Sequence, residues 1–414
     1  MSHGKDAISL LVAQYFQLVD PWDLRIPPAD TLKDPAVQAA IYEEMFNEDK
    51  IDPIPPVNYR TRALKTILAR IEEALSDPEE DEILDDLIRC WSELIAQPKP
   101  SALEAAQQLS YIKYTAPATS GVENNDNDKR GSVITSESRG LILSSGTTGF
   151  RTWEAALHLG TFLCTTPEGQ SIVRGKRVIE LGAGTGFLSM YCAKHLGVES
   201  VTVTDRDPAL IANIKDCLGR NQLSADKIRP AIWEWGSPLD SGSNTNTNAN
   251  AIFDVALGAD LTYDVDIVPL LISTIRDLFD QYGTKEFILS ATIRNEETFQ
   301  TFLDTCGESP PQQAQQAPPR SLPLKQGKKK AYIQVYGIVY TNSSNNFHRH
   351  GRAQKPIDSR HSVSRLNRLL LKNSRGSSIR LRYRSGRTGS CRRESDRRDK
   401  QVNKKINENH APEE

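Results

Sequence analysis

Through the first 115 residues, apolar side chains recur three and four positions apart, the spacing of helices buried on one face. Segments 7–19, 36–46, 59–75, 82–95 and 101–114 each carry it, and proline-containing breaks separate most of them. This predicts a helical N-terminal region over 1–115, with Leu84, Leu87, Ile88, Trp91 and Ile95 forming one buried stripe. Residues 116–138 are rich in Asn, Asp, Ser and Gly, and read as a linker or long surface loop. From about residue 139 the rhythm changes. Short β-branched runs at 176–181, 200–205, 228–233, 253–258 and 285–291 alternate with helical segments at 186–196, 208–221, 266–281 and 295–306. That alternation predicts an α/β fold, a doubly wound and mostly parallel sheet, spanning 139–340. Runs 241–250 and 310–330 read as polar or low-complexity loops, and 331–339 as a last strand. The strand expected before it is not visible in the sequence.

Charge adds a second division. Among 414 residues the formal net charge is only −2, but residues 341–414 hold 19 Lys and Arg against 7 Asp and Glu, a balance of +12, and the remainder carries −14. The tail, with one short apolar patch at 369–371, is expected to be disordered. Its basic residues are the one place where a nucleic-acid contact is conceivable. The acidic body suits a basic protein partner better than a phosphate backbone. No apolar run approaches membrane-spanning length, and the polar N-terminus is not of the secretory type. The six cysteines, at 90, 164, 192, 217, 306 and 391, show no C-x-x-C spacing, which predicts reduced thiols in a cytosolic or nuclear protein and no metal site.

The chemistry concentrates in Arg177-Val178-Ile179-Glu180-Leu181-Gly182-Ala183-Gly184-Thr185-Gly186. A strand runs into three alternate glycines, and a second strand ends at Asp205, nineteen residues beyond Gly186. This is a nucleoside half-site: glycines admit a ligand close to the backbone, and a carboxylate accepts from ribose hydroxyls. A dinucleotide fingerprint would need glycine where Phe187 or Ser189 stands, and no phosphate-loop lysine follows. Four further clusters fall at predicted strand ends or just before the first strand. They are Gly149 to Leu157 (containing Trp153), Ile232-Trp233-Glu234-Trp235-Gly236, Leu257-Gly258-Ala259-Asp260-Leu261-Thr262-Tyr263-Asp264 and Ser290-Ala291-Thr292-Ile293-Arg294. In an open α/β sheet, ligands sit beyond the carboxyl ends of the strands, where these clusters converge.

The spacing E-x-G-x-G-x-G resembles that of S-adenosylmethionine methyltransferases. Together with G-x-x-T-W-E-A-A-L, W-E-W-G and G-A-D-L-T-Y-D it resembles the eukaryotic seven-β-strand protein-lysine methyltransferases. The helical N-terminal region makes the chain similar, within these, to the elongation factor 2 lysine methyltransferase family. The resemblance implies a Rossmann-like sheet of seven strands, S-adenosylmethionine as cofactor, a lysine of elongation factor 2 as acceptor, and the cytoplasm as location. It further implies residue roles. Gly182, Gly184 and Gly186 admit the methionine portion, Glu180 orients its ammonium, and Trp153 packs near its carboxylate. Asp205 holds the ribose, Glu234 and Trp235 flank the adenine, and Ala259 lies beside the cofactor. Asp260 and Tyr263 stand by the methyl and the incoming lysine. Two other readings stay open: a nucleic-acid methyltransferase, although A-D-L-T-Y replaces the N-P-P-Y-like element usual for base amines, and an inactive binding module of the same fold.

Overall fold

A computed structural model of the chain describes residues 2–76, 81–117, 131–138, 148–239, 252–307, 315–316, 320–324 and 331–339. The expected polar loop at 241–250 and basic tail from 341 lie outside the described residues. The N-terminal helices are α1 (Ser2–Phe16), α2 (Ala29–Leu32), α3 (Pro35–Met45), α4 (Val57–Ala74), α5 (Asp85–Ala96) and α6 (Ala102–Gln107). Starts are written locally. Asp34 caps α3 ahead of Pro35, and Ser101 with Glu104 forms a reciprocal capping box on α6. These helices enclose their own core, around Leu11, Tyr15, Ile41, Leu64, Ile67 and Leu87.

The expected stripe on α5 is rotated from its predicted face. Leu87, Cys90 and Leu94 are buried, whereas Ile88 and Ile95 are 41% and 49% exposed. Both sets have helical spacing. The small Cys90, which the apolar pattern passed over, faces the core and lets α5 approach α4.

Segment 101–114 is not one helix. After α6 comes β1 (Leu109–Thr115), antiparallel to β2 (Ser132–Ser138), with Leu109 opposite Ser138 and Thr115 opposite Ser132. The linker assigned to 116–138 therefore ends in a strand, and its polar sequence hid that strand. The other edge of β2 is satisfied by side chains. Asn221 takes the Ile134 N–H at 2.8 Å and donates to the Ile134 carbonyl at 2.7 Å, and Asn213 donates to the Ser136 carbonyl at 2.9 Å. Amides mimic a neighbouring strand, so β2 needs no alternating apolar pattern to hold its place.

The α/β fold continues through α7 (Glu154–Thr165), α8 (Pro167–Val173), β3 (Arg177–Leu181), α9 (Phe187–His195), β4 (Ser200–Asp205), α10 (Pro208–Arg220) and β5 (Ile228–Ile232). It goes on with β6 (Val255–Ala259), α11 (Val268–Asp280), β7 (Glu286–Ile293) and α12 (Glu296–Gly307). Strand order is β5-β4-β3-β6-β7, all parallel. Strand residues alternate between two cores. Val178, Val255, Leu257 and Ile288 face α7, α9 and α10, while Ile179, Ala256, Phe287 and Leu289 face α11 and α12.

The sheet closes where the sequence showed only a Gln/Pro-rich loop. Segments β8 (Gln315–Gln316) and β9 (Arg320–Leu324) both pair with β10 (Ala331–Val339), which runs antiparallel to β7. The missing strand is present in two pieces. Pro323, opposite Tyr332, is tolerated because β9 is an edge.

Candidate active site

The chain leaves β3 and turns outward through β4 and β5, then returns on the other side through β6 and β7. The strand order therefore reverses between β3 and β6, and the crevice beyond their carboxyl ends is where such sheets hold ligands. Gly182, Gly184 and Gly186 occupy that point with φ of +57°, +55° and +73°, in the left-handed region that glycine enters freely. A Cβ on Gly184 would lie 2.9 Å from the Gly149 carbonyl oxygen, and one on Gly182 would meet Leu261 at 2.9 Å and Trp235 at 3.3 Å. The turn thus serves as a packing surface for segment 148–153 and for Trp235.

Asp205, at the end of β4, is tied to this turn. One carboxylate oxygen accepts the Gly184 N–H at 3.0 Å and the other the Asp207 N–H at 3.1 Å. Burial pushes its pKa up, against those two hydrogen bonds. Each oxygen keeps a second lone pair, the number needed to accept from two vicinal ribose hydroxyls, so this pair of acceptors fits the nucleoside of S-adenosylmethionine.

Glu180 sits differently from its expected role. It is buried under the turn, and one oxygen accepts both the Ser189 N–H (2.9 Å) and the Ser189 hydroxyl, at the start of α9. Burial pushes its carboxyl pKa up to about 8. It braces the turn against α9.

Three of the four further clusters meet at one residue, Arg294. Its guanidinium lies 3.2 Å from Asp260 and 3.9 Å from Glu154, and 5.1 Å from the centre of the Trp153 ring. Arg151 lies over the same ring at 5.0 Å, and the Trp153 indole N–H donates to the Thr148 carbonyl. Asp260 follows β6 at φ +56°, unusual for a residue with a Cβ. Its backbone N–H donates to the Ser290 carbonyl at 2.8 Å, and its carboxylate takes the Thr292 N–H at 2.7 Å and the Thr292 hydroxyl at 3.2 Å. The side chain is only 9% exposed, and burial raises its pKa while Arg294 opposes the rise.

Ala259 pairs with Ser290 across β6 and β7 and is half-buried. Tyr263 is 64% exposed, at the mouth. Glu234 is exposed and Trp235 half-buried, while the neighbouring Trp233 is a core residue whose indole donates to the Ser237 carbonyl.

Sequence reasoning missed Glu137. This fully buried carboxylate accepts from Tyr114, Thr135 and the Thr152 hydroxyl at 2.9, 2.7 and 2.7 Å, and from the Thr152 N–H at 3.2 Å. Thr152 in turn bonds Thr185 of the glycine turn at 2.7 Å. Glu137 joins the hairpin to both the turn and the Trp153 segment. A chain beginning near residue 140, as the linker reading would suggest, loses it. The only sequence signal was a carboxylate amid polar residues.

Comparison with known proteins agrees with this geometry. A family model described as lysine methyltransferase matches residues 142–308. Protein-lysine N-methyltransferase EFM3 of Chaetomium thermophilum is 42% identical over 295 residues, covering 71% of this chain and 85% of that protein. EFM3 of Saccharomyces cerevisiae is 31% identical over 264 residues, covering 58% and 69%. Human protein-lysine N-methyltransferase EEF2KMT is 25% identical over 236 residues, covering 55% and 69%. With the glycine turn, the Asp205 carboxylate and this extent of similarity together, the chain belongs to the family of S-adenosylmethionine-dependent protein-lysine N-methyltransferases.

Proposed function

We propose that the lysine acceptor lies in translation elongation factor 2. The observation that carries this reading is the likeness to human EEF2KMT, whose 236 aligned residues exceed the span of the catalytic family model at 142–308. In the same reading residues 1–115, whose helices have a core of their own, form the surface that recognises the protein substrate, and the enzyme works in the cytoplasm beside the translation machinery.

The bound cofactor supplies a methyl group on a sulfonium, and the chain supplies placement. Lysine must attack as the neutral amine, of which only about one molecule in a thousand is present at neutral pH. Trp153, half-buried, offers apolar surface, and partial desolvation of an entering ammonium lowers its pKa. The Asp260 carboxylate is engaged by Thr292 and Arg294, so it fixes the floor of the site and is not free to take the proton. Tyr263, exposed at the mouth, has its hydroxyl available to the incoming amine.

The test is transfer of labelled methyl to purified elongation factor 2, side by side with elongation factor 1A, and mass spectrometry of both factors from cells with and without the enzyme. The expected result is a lysine methylation of elongation factor 2 that disappears with the enzyme. Labelling of elongation factor 1A alone would move the substrate and leave the reaction class in place. On the cofactor side, Asp205→Ala is expected to weaken S-adenosylmethionine binding by about 1.5–3 kcal/mol, the worth of hydrogen bonds to a charged acceptor. Calorimetry giving wild-type affinity in the folded variant would remove Asp205 from the ribose site.

A further inference from the structure

A cavity of about 1000 Å³ is lined by residues of the helical region, among them Pro21, Pro55, Pro56, Pro98 and Pro100, and by Arg151 of the segment before α7. We propose that it is the docking groove for an extended, acidic segment of the protein substrate, delivering the adjoining lysine toward Asp260. The proposal rests on the protein-substrate reading above and adds to it the surface and the chemistry of recognition.

The first argument is charge. The body of the chain is acidic, yet this groove presents Arg62, Lys99 and Arg151. Arg60 also lines it, but is buried and paired with Glu48. The two lining carboxylates are already engaged. Asp20 accepts the Trp22 N–H and pairs with Arg62, both at 3.1 Å, and Glu104 accepts the Ser101 N–H at 2.8 Å in the capping box. No ion pair to Lys99 is found among the described residues; Arg151 pairs with Glu154 at 3.7 Å, while its Nε is buried without an acceptor. The lining thus holds four cationic side chains against two carboxylates, with the three arginines ion-paired and Lys99 left to meet an acidic ligand in an otherwise acidic molecule.

The second argument is shape. Five prolines give a wall whose backbone angles are fixed before binding, so little ordering is required of it. Trp22, next to Pro21, is 85% exposed, and Ile54, beside Pro55, is also exposed. Leu103 and Leu109, exposed too, adjoin the lining residues Glu104, Gln108 and Ser110. An exposed tryptophan with aliphatic neighbours at the lip of a groove is the composition of a protein-binding anchor. The volume stands at the upper end of what a single small molecule fills, and leaves room for several residues of chain.

The third argument is continuity. Arg151, which lines the groove, covers Trp153, Arg294 lies over the same ring, and Arg294 bonds Asp260. A segment lying in the groove therefore ends beside the methyl-transfer centre.

The test uses the full chain with Trp22→Ala, and separately with Arg62→Gln combined with Lys99→Glu. Three quantities are measured: KM for intact elongation factor 2, cofactor affinity by calorimetry, and anisotropy of fluorescein-labelled polyglutamate, which needs no knowledge of the substrate. The charge variant is expected to raise KM at least tenfold and to weaken polyglutamate binding tenfold, with an effect that shrinks at 0.5 M salt as screening grows. Trp22→Ala should raise KM severalfold with little salt dependence, and cofactor affinity should hold in both. Unchanged KM and unchanged polyglutamate binding in the charge variant would overturn the proposal, as would a parallel loss of cofactor affinity, which would assign the groove to the cofactor. Polyglutamate binding that depends on Lys99, in an enzyme that fails to methylate elongation factor 2, would keep the groove and overturn only the choice of substrate.

Discussion

Replacing Asp260 with alanine is expected to slow methyl transfer a hundredfold or more in a protein that still folds. Asp260 holds three groups at once: the Thr292 N–H and hydroxyl at the end of β7, and the Arg294 guanidinium. Arg294 lies over Trp153 and near Glu154. Removing the carboxylate releases Arg294 and with it the wall against which donor and acceptor are aligned, and a misplacement of about 1 Å costs about a hundredfold in rate. The fold should survive. Alanine at φ +56° costs about 1–2 kcal/mol, and the unpaired Thr292 N–H adds a comparable amount, against a typical stability of roughly 5–15 kcal/mol. Asp260→Asn separates charge from shape. Asparagine tolerates left-handed backbone and can still accept from Thr292, so it should fold like wild type while losing the ion pair to Arg294. Single-turnover methylation at saturating cofactor measures both variants. A rate near wild type for Asp260→Ala would show that the Arg294 network does not position the reactants.

Why the sequence revealed one half of this site and not the other follows from where the constraints lie. Gly182, Gly184, Gly186 and Asp205 are fixed by the backbone of one β-turn-α-β unit, so their spacing in the chain equals their geometry, and the alternation of Val178 and Ile179 between two cores is written in consecutive residues. Arg294 was visible only as the end of a strand. Its contacts with Trp153 and Asp260 join residues 141 and 34 positions away, a relation that no local pattern encodes. The hairpin β1–β2 was lost for a different reason. Its strands are held by Asn213, Asn221 and the Glu137 hydroxyl network, and polar residues satisfied in this way look like a loop in a hydrophobicity profile. The split edge β8–β9 was concealed by Pro323, which only an edge strand admits. On α5, two apolar faces of equal spacing compete, and Cys90 decides between them in the folded protein.

Stability should fall as pH rises from about 4.5 to about 8, and Glu180→Gln should abolish that fall. The Glu180 carboxyl lies fully buried beneath the glycine turn, where burial pushes its pKa from 4.5 to about 8 and the two Ser189 hydrogen bonds oppose the rise only in part. Between those values the folded chain holds a proton that the unfolded chain has released, so its contribution is complete below about pH 4.5 and is lost as pH climbs through about 8. At 1.36 kcal/mol per pKa unit the whole change is on the order of 5 kcal/mol, enough to move the melting temperature by several degrees. Glutamine keeps an oxygen to accept from both Ser189 donors and carries no ionisable proton. Its melting temperature should therefore exceed that of wild type above pH 8 and approach it near pH 5. The same variant discriminates between the two roles for this residue. A carboxylate that only braces α9 leaves S-adenosylmethionine affinity within about threefold on changing to glutamine. A carboxylate that pairs with the methionine ammonium would lose about 1.5–3 kcal/mol of binding, and the cofactor would displace a proton from wild type near pH 7. Calorimetry in two buffers of different ionisation enthalpy reads that proton. Its release, together with a cofactor affinity that collapses in Glu180→Gln, would return Glu180 to the cofactor site and show that it leaves Ser189 when the cofactor binds.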